Sequence, residues 1–184
     1  MPTNDLGYLS HFPVLAAGLA KTTGAVLELG MGWGSTPLLH AVCRAQNRTL
    51  ASFETDRNWL DRFSFLHEGG EVGFRTHHMY FIEDWLKGFP WVTAGPYGVA
   101  LIDCAPGEIR KDLALRLKGK AKFILLHDAL SDPPHGAGNY RYDEIVPEFR
   151  FVECYRVVRP ATLILSDFEP FGLLEEEQCE RIVL

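Results

Sequence analysis

The sequence predicts an α/β protein built on one doubly wound, Rossmann-like sheet, and three observations predict it. Short apolar runs alternate five times with helical patterns, the signature of parallel strand–helix units. The run "VLELGMGWGST" (26–36) leads a buried-strand pattern straight into Gly30, Gly32 and Gly34, and from Ser35 the pattern turns helical. The last two apolar runs are joined by only a few residues around Arg159-Pro160, so they pair antiparallel and close the sheet with a hairpin. A chain of 184 residues is the length of one domain, taken as 1–184.

The elements follow in order. Residues 12 to 21 form a short helix, with Pro13 suited to its first turn and Val14, Leu15, Leu19 and Ala20 on its apolar side. Val26 to Leu29 is a buried strand, and Thr36, Leu38, Leu39, Ala41 and Val42 mark the helix after the glycines. "TLASFE" is a second strand ending at Glu54. In "DRNWLDRFSFLHEGG", Trp59, Leu60, Phe63 and Leu66 recur at helical spacing until Gly69-Gly70 stop the helix. A third strand falls within 74 to 82, followed by "EDWLKG" and a Pro/Gly stretch. "YGVALIDCAPGE" holds a strand ending at Asp103, and "EIRKDLALRLKG" is a helix ended by Gly119. "AKFILLHDA" is a buried strand ending at His127-Asp128, and "FRFVECYRVV" with "ATLILSDF" make the closing hairpin.

Composition narrows the class. Hydrophobic content of 47% with 23% charged residues is that of a globular protein. A net charge of −6 with no compensating basic face argues against a nucleic-acid partner. Cys43, Cys104, Cys154 and Cys179 show no metal-finger or C-x-x-C spacing and read as reduced thiols, which suits a cytoplasmic location. Neither a signal pattern at the N-terminus nor an apolar run of membrane-spanning length is present, so no membrane partner is expected.

Sheets of this kind bind ligands beyond the carboxyl ends of their strands, and the residues at those ends are acidic: Glu28, Glu54, Asp84, Asp103 and Asp128, the last beside His127. The spacing G-x-G-x-G with an acid two residues before it differs from the dinucleotide pattern G-x-G-x-x-G. An acid there repels a pyrophosphate and suits a ligand with a cationic end. A carboxylate at Glu54 can accept both hydroxyls of a ribose. Asp84 beside Trp85 can take an exocyclic amine against a flat apolar wall, or Asp84 can simply be a helix N-cap.

These segments resemble the class I S-adenosylmethionine-dependent methyltransferases. "VLELGMGWGST" is similar to their first motif, E/D-x-G-x-G-x-G, and "SFETD" to their second, with Glu54 at the ribose position. "IEDW", "VALIDCAPGE" and "FILLHDAL" resemble the adenine-contacting stretch and the fourth and fifth strands, so the likeness runs from residue 25 to about 168. It implies seven strands in the order 3-2-1-4-5-7-6. It also implies S-adenosylmethionine held by Glu28, Gly30, Gly32, Trp33, Gly34, Ser35, Thr36, Glu54, Thr55, Asp84, Trp85 and Asp103, with the amino-acid end of the ligand by the glycine loop.

The acceptor is less marked. Asp103 with His127-Asp128 resembles the metal-dependent O-methyltransferases of the catechol and sugar type, in which carboxylates after strands four and five bind Mg²⁺. Those enzymes follow the second Asp with Asn, and here Ala129 stands there, so one hard ligand for Asp103 and Asp128 to share with a metal is missing. His127 is the alternative as a general base. The Gly/Pro-rich stretch "SDPPHGAGNYRYDE" reads as a substrate lid with His135, Tyr140, Arg141 and Tyr142 as contacts, and Glu108 and Arg110 lie near the same face. His77-His78, neighbours in a strand, point to opposite faces and do not form a metal pair. "SDPPHG" lacks the aromatic of base-methylating motifs, again against a nucleic-acid acceptor. The expected activity is O-methylation of a small molecule or glycan, on catalytic residues Asp103, His127 and Asp128. Only about two dozen residues precede the first motif, so either a bulky acceptor binds an open face or a second subunit of a homo-oligomer completes the site. Two rivals stay open: a module that binds S-adenosylmethionine or S-adenosylhomocysteine without transferring methyl, and, disfavoured by the glycine spacing, a nucleotide-dependent oxidoreductase.

Overall fold

The predicted strands form one sheet, and it carries one strand more than expected. A computed structural model describes residues 9–68, 76–87, 95–129, 140–172 and 179–181. The strands are β1 (Ala25–Leu29), β2 (Leu50–Glu54), β3 (His77–Phe81), β4 (Tyr97–Ile102), β5 (Ala121–Ala129), β6 (Phe151–Tyr155), β7 (Ala161–Ser166) and β8 (Cys179–Arg181). Their order is β3-β2-β1-β4-β5-β7-β6-β8. The first five are parallel, and the β5–β7 and β7–β6 pairs are antiparallel. The first seven positions are therefore the expected order. The eighth strand extends the edge, pairing antiparallel with β6 through Glu153↔Arg181 and Tyr155↔Cys179. Three residues are too few to show a period of two, so it had no legible signal.

Both faces of the sheet are covered, because the strands are apolar on both sides. Leu27, Ala100, Ile102, Ile124 and Leu126 pack with Leu113 and Leu117 of the helix Arg110–Leu117, called α5 here. Val26, Val99, Leu101, Phe123 and Leu125 face Val14, Leu15 and Leu19 of α1 (Phe12–Lys21) and Leu39 and Cys43 of α2 (Thr36–Ala45). Alternate residues of each strand thus serve opposite layers. Cys43, Cys104 and Cys154 are buried and unbridged. Among the described residues, no helix is long and apolar enough to cross a membrane.

The helix expected across 56 to 68 is broken into α3 (Arg57–Asp61) and α4 (Phe65–Glu68). Between them the backbone tightens to three-residue bonds, Arg62 N–H to Trp59 O, Phe63 N–H to Leu60 O and Ser64 N–H to Asp61 O. The tighter turn buries Phe63 completely while Phe65 stays exposed. Gly69-Gly70, the Pro/Gly stretch after "EDWLKG" and most of the expected lid, His135 included, lie outside the described residues.

Candidate functional site

β1 has β2 on one side and β4 on the other, so the strand order reverses there, and the residues following β1 and β4 meet at the carboxyl edge. Gly30 makes that meeting possible. It has φ +90, and a Cβ on it would lie 2.5 Å from the Asp103 carbonyl oxygen. Asp103 N–H in turn donates to Leu29 O at 2.8 Å. Gly32 differs: a Cβ there would touch only the Ser35 hydroxyl, at 3.5 Å. The first glycine therefore fits the chain to itself, and the second leaves bare backbone. Trp33 stands out from the loop, 54% exposed, with its ring 4.8 Å from that of Phe63 and stacked 6.2 Å from Phe65.

Glu28 faces inward. Its side chain is completely buried, and β1–β2 register places it opposite Ser52. Ser52 donates to Oε2 at 2.5 Å, and Ser35 and Thr36 donate to Oε1 at 2.6 and 2.9 Å. Thr36 Oγ1 accepts from Gly32 N–H at 2.9 Å, which links the acid to the loop backbone. Burial pushes the Glu28 carboxyl up to about 7, against the lowering effect of the three hydroxyls. Its part in a ligand site is to shape the loop.

Glu54, also nearly buried, holds the loop from the other side. Its Oε2 accepts from Met31 N–H at 3.0 Å, and its Oε1 accepts from Thr55 and Asp56 N–H at 2.6 and 2.9 Å. A carboxylate offers about four acceptor sites, so these bonds leave capacity for a ligand hydroxyl. Met31 O accepts from Trp59 Nε1–H at 2.6 Å, tying α3 to the loop. Asp84 Oδ1 accepts from Leu86 N–H at 2.7 Å and so caps a turn. The Trp85 ring packs within the core, 4% exposed, with Nε1–H donating to Ala105 O at 2.8 Å.

The residues after β4 and in β5 converge on Arg110, at the start of α5. Its Nη2 lies 3.0 Å from Asp103 Oδ1, and its Nη1 lies 3.0 Å from Asp128 Oδ2. Its Nε–H donates to Cys104 O at 2.7 Å, and Tyr140 lies against the guanidinium at 4.9 Å. Asp128 reaches this position with a left-handed backbone, φ 59, at an irregularity in the β5–β7 pairing. Tyr142 is buried and donates to His127 O at 2.9 Å. Arg141 is exposed and pairs with Glu144, and Glu108 is exposed in the turn that opens α5. Of the expected lid contacts in view, Tyr140 and Tyr142 therefore join the cluster, and Arg141 pairs beside it.

His127 is buried: Nδ1 is 3.1 Å from Asp103 Oδ1, and Nε2 is 2.7 Å from Ser10 Oγ. Burial opposes a charge on it, yet the hydrogen bond and charge of Asp103, with Asp128 beyond, hold its pKa above the ordinary histidine value. Burial likewise pushes Asp103 up, but His127 and Arg110 outweigh it and hold the carboxyl below its ordinary value. The two carboxylates, each about a quarter exposed, are the groups that open outward.

This donor set does not fit Mg²⁺ between Asp103 and Asp128, because the Arg110 guanidinium already occupies the position between the two carboxylates. The sequence named Arg110 as a site candidate. It gave no sign of Ser10 or His11, which arrive from the turn before α1 and carry no motif.

No family model and no curated protein matches the chain. Solved structures do. The apo structure of CalS11, a TDP-rhamnose 3′-O-methyltransferase of calicheamicin biosynthesis, superposes with a TM-score of 0.59 at 13% identity, covering 91% of this chain and 81% of that one. Magnesium protoporphyrin IX methyltransferase from Synechocystis PCC 6803, with bound S-adenosylmethionine, gives 0.53 at 16% identity, covering 86% and 77%. The chain has the class I methyltransferase fold.

Proposed function

We propose that this protein is an S-adenosylmethionine-dependent methyltransferase that methylates an oxygen of a small molecule or glycan. The observation that carries the reading is the switch-point edge itself. A loop of bare backbone at Gly32 is pinned by Glu28 and Glu54, and the outward-facing pair Asp103 and Asp128 lies beyond the neighbouring strands. Both neighbouring structures are methyltransferases by name, one with bound S-adenosylmethionine and the other acting on TDP-rhamnose.

In this reading Gly30, Gly32, Trp33, Gly34, Ser35 and Thr36 form the cofactor cradle, with Glu28 behind it. Glu54 and Thr55 receive the ribose, and Asp84 and Trp85 border the base. S-adenosylmethionine supplies the methyl group as a sulfonium. The chain's own task is to hold acceptor oxygen and donor in line and to keep water away. Asp103 and Asp128 accept hydrogen bonds from the acceptor's hydroxyls, and Arg110 and His127 hold those carboxylates in place. As the oxygen–methyl bond forms and the sulfur–methyl bond breaks, S-adenosylhomocysteine leaves and the hydroxyl proton passes to the outward-facing Asp128. Methyl transfer then needs no divalent ion between the acids.

The test is transfer of label from methyl-labelled S-adenosylmethionine to panels of sugars, glycans and phenols, with and without EDTA. Product that persists in EDTA and falls at least about tenfold in Asp128→Asn is expected, the usual scale for a misplaced reactant. Cofactor binding without label in any acceptor would leave the non-transferring module as the correct reading.

A further inference from the structure

A second group of donors lies on the inner side of Asp103, adding His11 to the Asp103 and His127 of the proposed reaction. His11, His127 and Asp103 each offer one ligand atom, and these atoms lie within 4.8 Å of one another. His11 is 2% exposed, and among the described residues neither of its ring nitrogens has a hydrogen-bond partner. Its ring meets that of His127 edge-on, with centroids 4.6 Å apart. Buried polar groups are almost always satisfied, so an imidazole with both nitrogens bare points to something that belongs between these side chains. A proton on His127 satisfies Asp103 and leaves His11 as it was. A shared ion serves all three.

We propose that His11, His127 and Asp103 form a binding site for a first-row divalent transition ion of the Zn²⁺ type. The donor set is two imidazole nitrogens and one carboxylate oxygen, which suits Zn²⁺ and its neighbours and differs from the all-oxygen set that Mg²⁺ requires. Donors around a tetrahedral Zn²⁺ at about 2.1 Å stand roughly 3.4 Å apart. His127 Nδ1 and Asp103 Oδ1, at 3.1 Å, already have that spacing, and His11 offers its ligand atom within 4.8 Å of both. The surroundings are those of a ligating histidine. Nε2 of His127 is fixed by Ser10 Oγ at 2.7 Å, which leaves Nδ1 as the ligating nitrogen. Burial of His11, Ser10 and His127 keeps the ion from bulk water.

The site shares Asp103 and His127 with the methyl-transfer reading, and its test does not use activity, so the two readings fail separately. The full chain, stripped with chelator and dialysed, is titrated with Zn²⁺ in competition with a chromophoric chelator, and with Co²⁺ followed by its visible d–d absorption. Mg²⁺ serves as the control. One equivalent of Zn²⁺ is expected, with a Co²⁺ spectrum of low coordination number and no response to Mg²⁺. Ser10→Ala should weaken Zn²⁺ about tenfold or more, the range for losing a group that orients a ligating histidine. His11→Ala should abolish the Co²⁺ band while circular dichroism shows the fold retained, and His11→Cys, which restores a zinc donor, should recover part of the affinity. No stoichiometric Zn²⁺, or a Co²⁺ spectrum unchanged in both His11→Ala and Ser10→Ala, would overturn the site and leave a buried water as the partner of His11.

Discussion

Glu28 makes the most quantitative prediction, because its burial is complete and its partners are neutral. Free in an unfolded chain its carboxyl titrates near 4.5, and in the folded protein burial raises it to about 7. A group with a raised folded pKa contributes stability that is fully present below the unfolded value and is lost as the pH climbs through the folded one. The gap of about 2.5 units, at about 1.4 kcal/mol each, amounts to roughly 3 kcal/mol lost between about pH 4.5 and pH 7. Glu28→Gln keeps the shape, and the hydroxyls of Ser35, Thr36 and Ser52 can turn to meet an amide. The variant removes this one titration and leaves those of Asp103, His127 and Arg110 untouched, so they cancel in the comparison. Urea denaturation of both proteins at about pH 5 and about pH 8 should show the variant gaining roughly 3 kcal/mol relative to the wild type at the higher pH. Parallel stability curves would refute the reasoning, since they would mean that Glu28 titrates at its ordinary value and reaches water.

Other perturbations test the cluster and the loop. Arg110→Met leaves Asp103 and Asp128 facing each other without their shared guanidinium, and a loss of about 3–5 kcal/mol is expected by urea titration at neutral pH. A loss below about 1 kcal/mol would show the pair to be solvated. Gly30→Ala places a methyl 2.5 Å from the Asp103 carbonyl in a left-handed backbone. It should lower stability by at least about 2 kcal/mol in the same assay, and near-wild-type stability would mean that the two loops do not meet as described.

Much of the fold was legible because its strands are apolar on both faces and end in recognisable residues. Val26–Leu29 and Ala121–Ala129 read as buried runs, and the short link at Arg159-Pro160 forced the closing hairpin. β8 was not legible, since three residues carry no periodicity. The 56–68 helix was misjudged because its apolar spacing was helical, yet burying Phe63 against the loop required a tighter turn. At the site, residue type and strand-end position located Glu54, Asp103 and Asp128. They could not show which way Glu28 points, because that depends on Ser35, Thr36 and Ser52 arriving from three different elements. Nor could they show that Arg110 lies between the two acids, since nothing in the spacing of positions 103, 110 and 128 encodes contact. Ser10 and His11 come from farther still, 117 residues from His127 along the chain in the case of Ser10.

The central claim, a cofactor site built on the glycine loop and Glu54, is tested most directly by calorimetric titration with S-adenosylmethionine and S-adenosylhomocysteine. Wild type should bind each with a Kd in the micromolar range, about −8 kcal/mol. Glu54→Gln, which keeps the shape and loses the charge that holds Met31, Thr55 and Asp56, should bind at least about tenfold more weakly, the scale of one charge-assisted hydrogen bond. Heat of binding absent for both ligands in the folded wild-type protein would contradict the account.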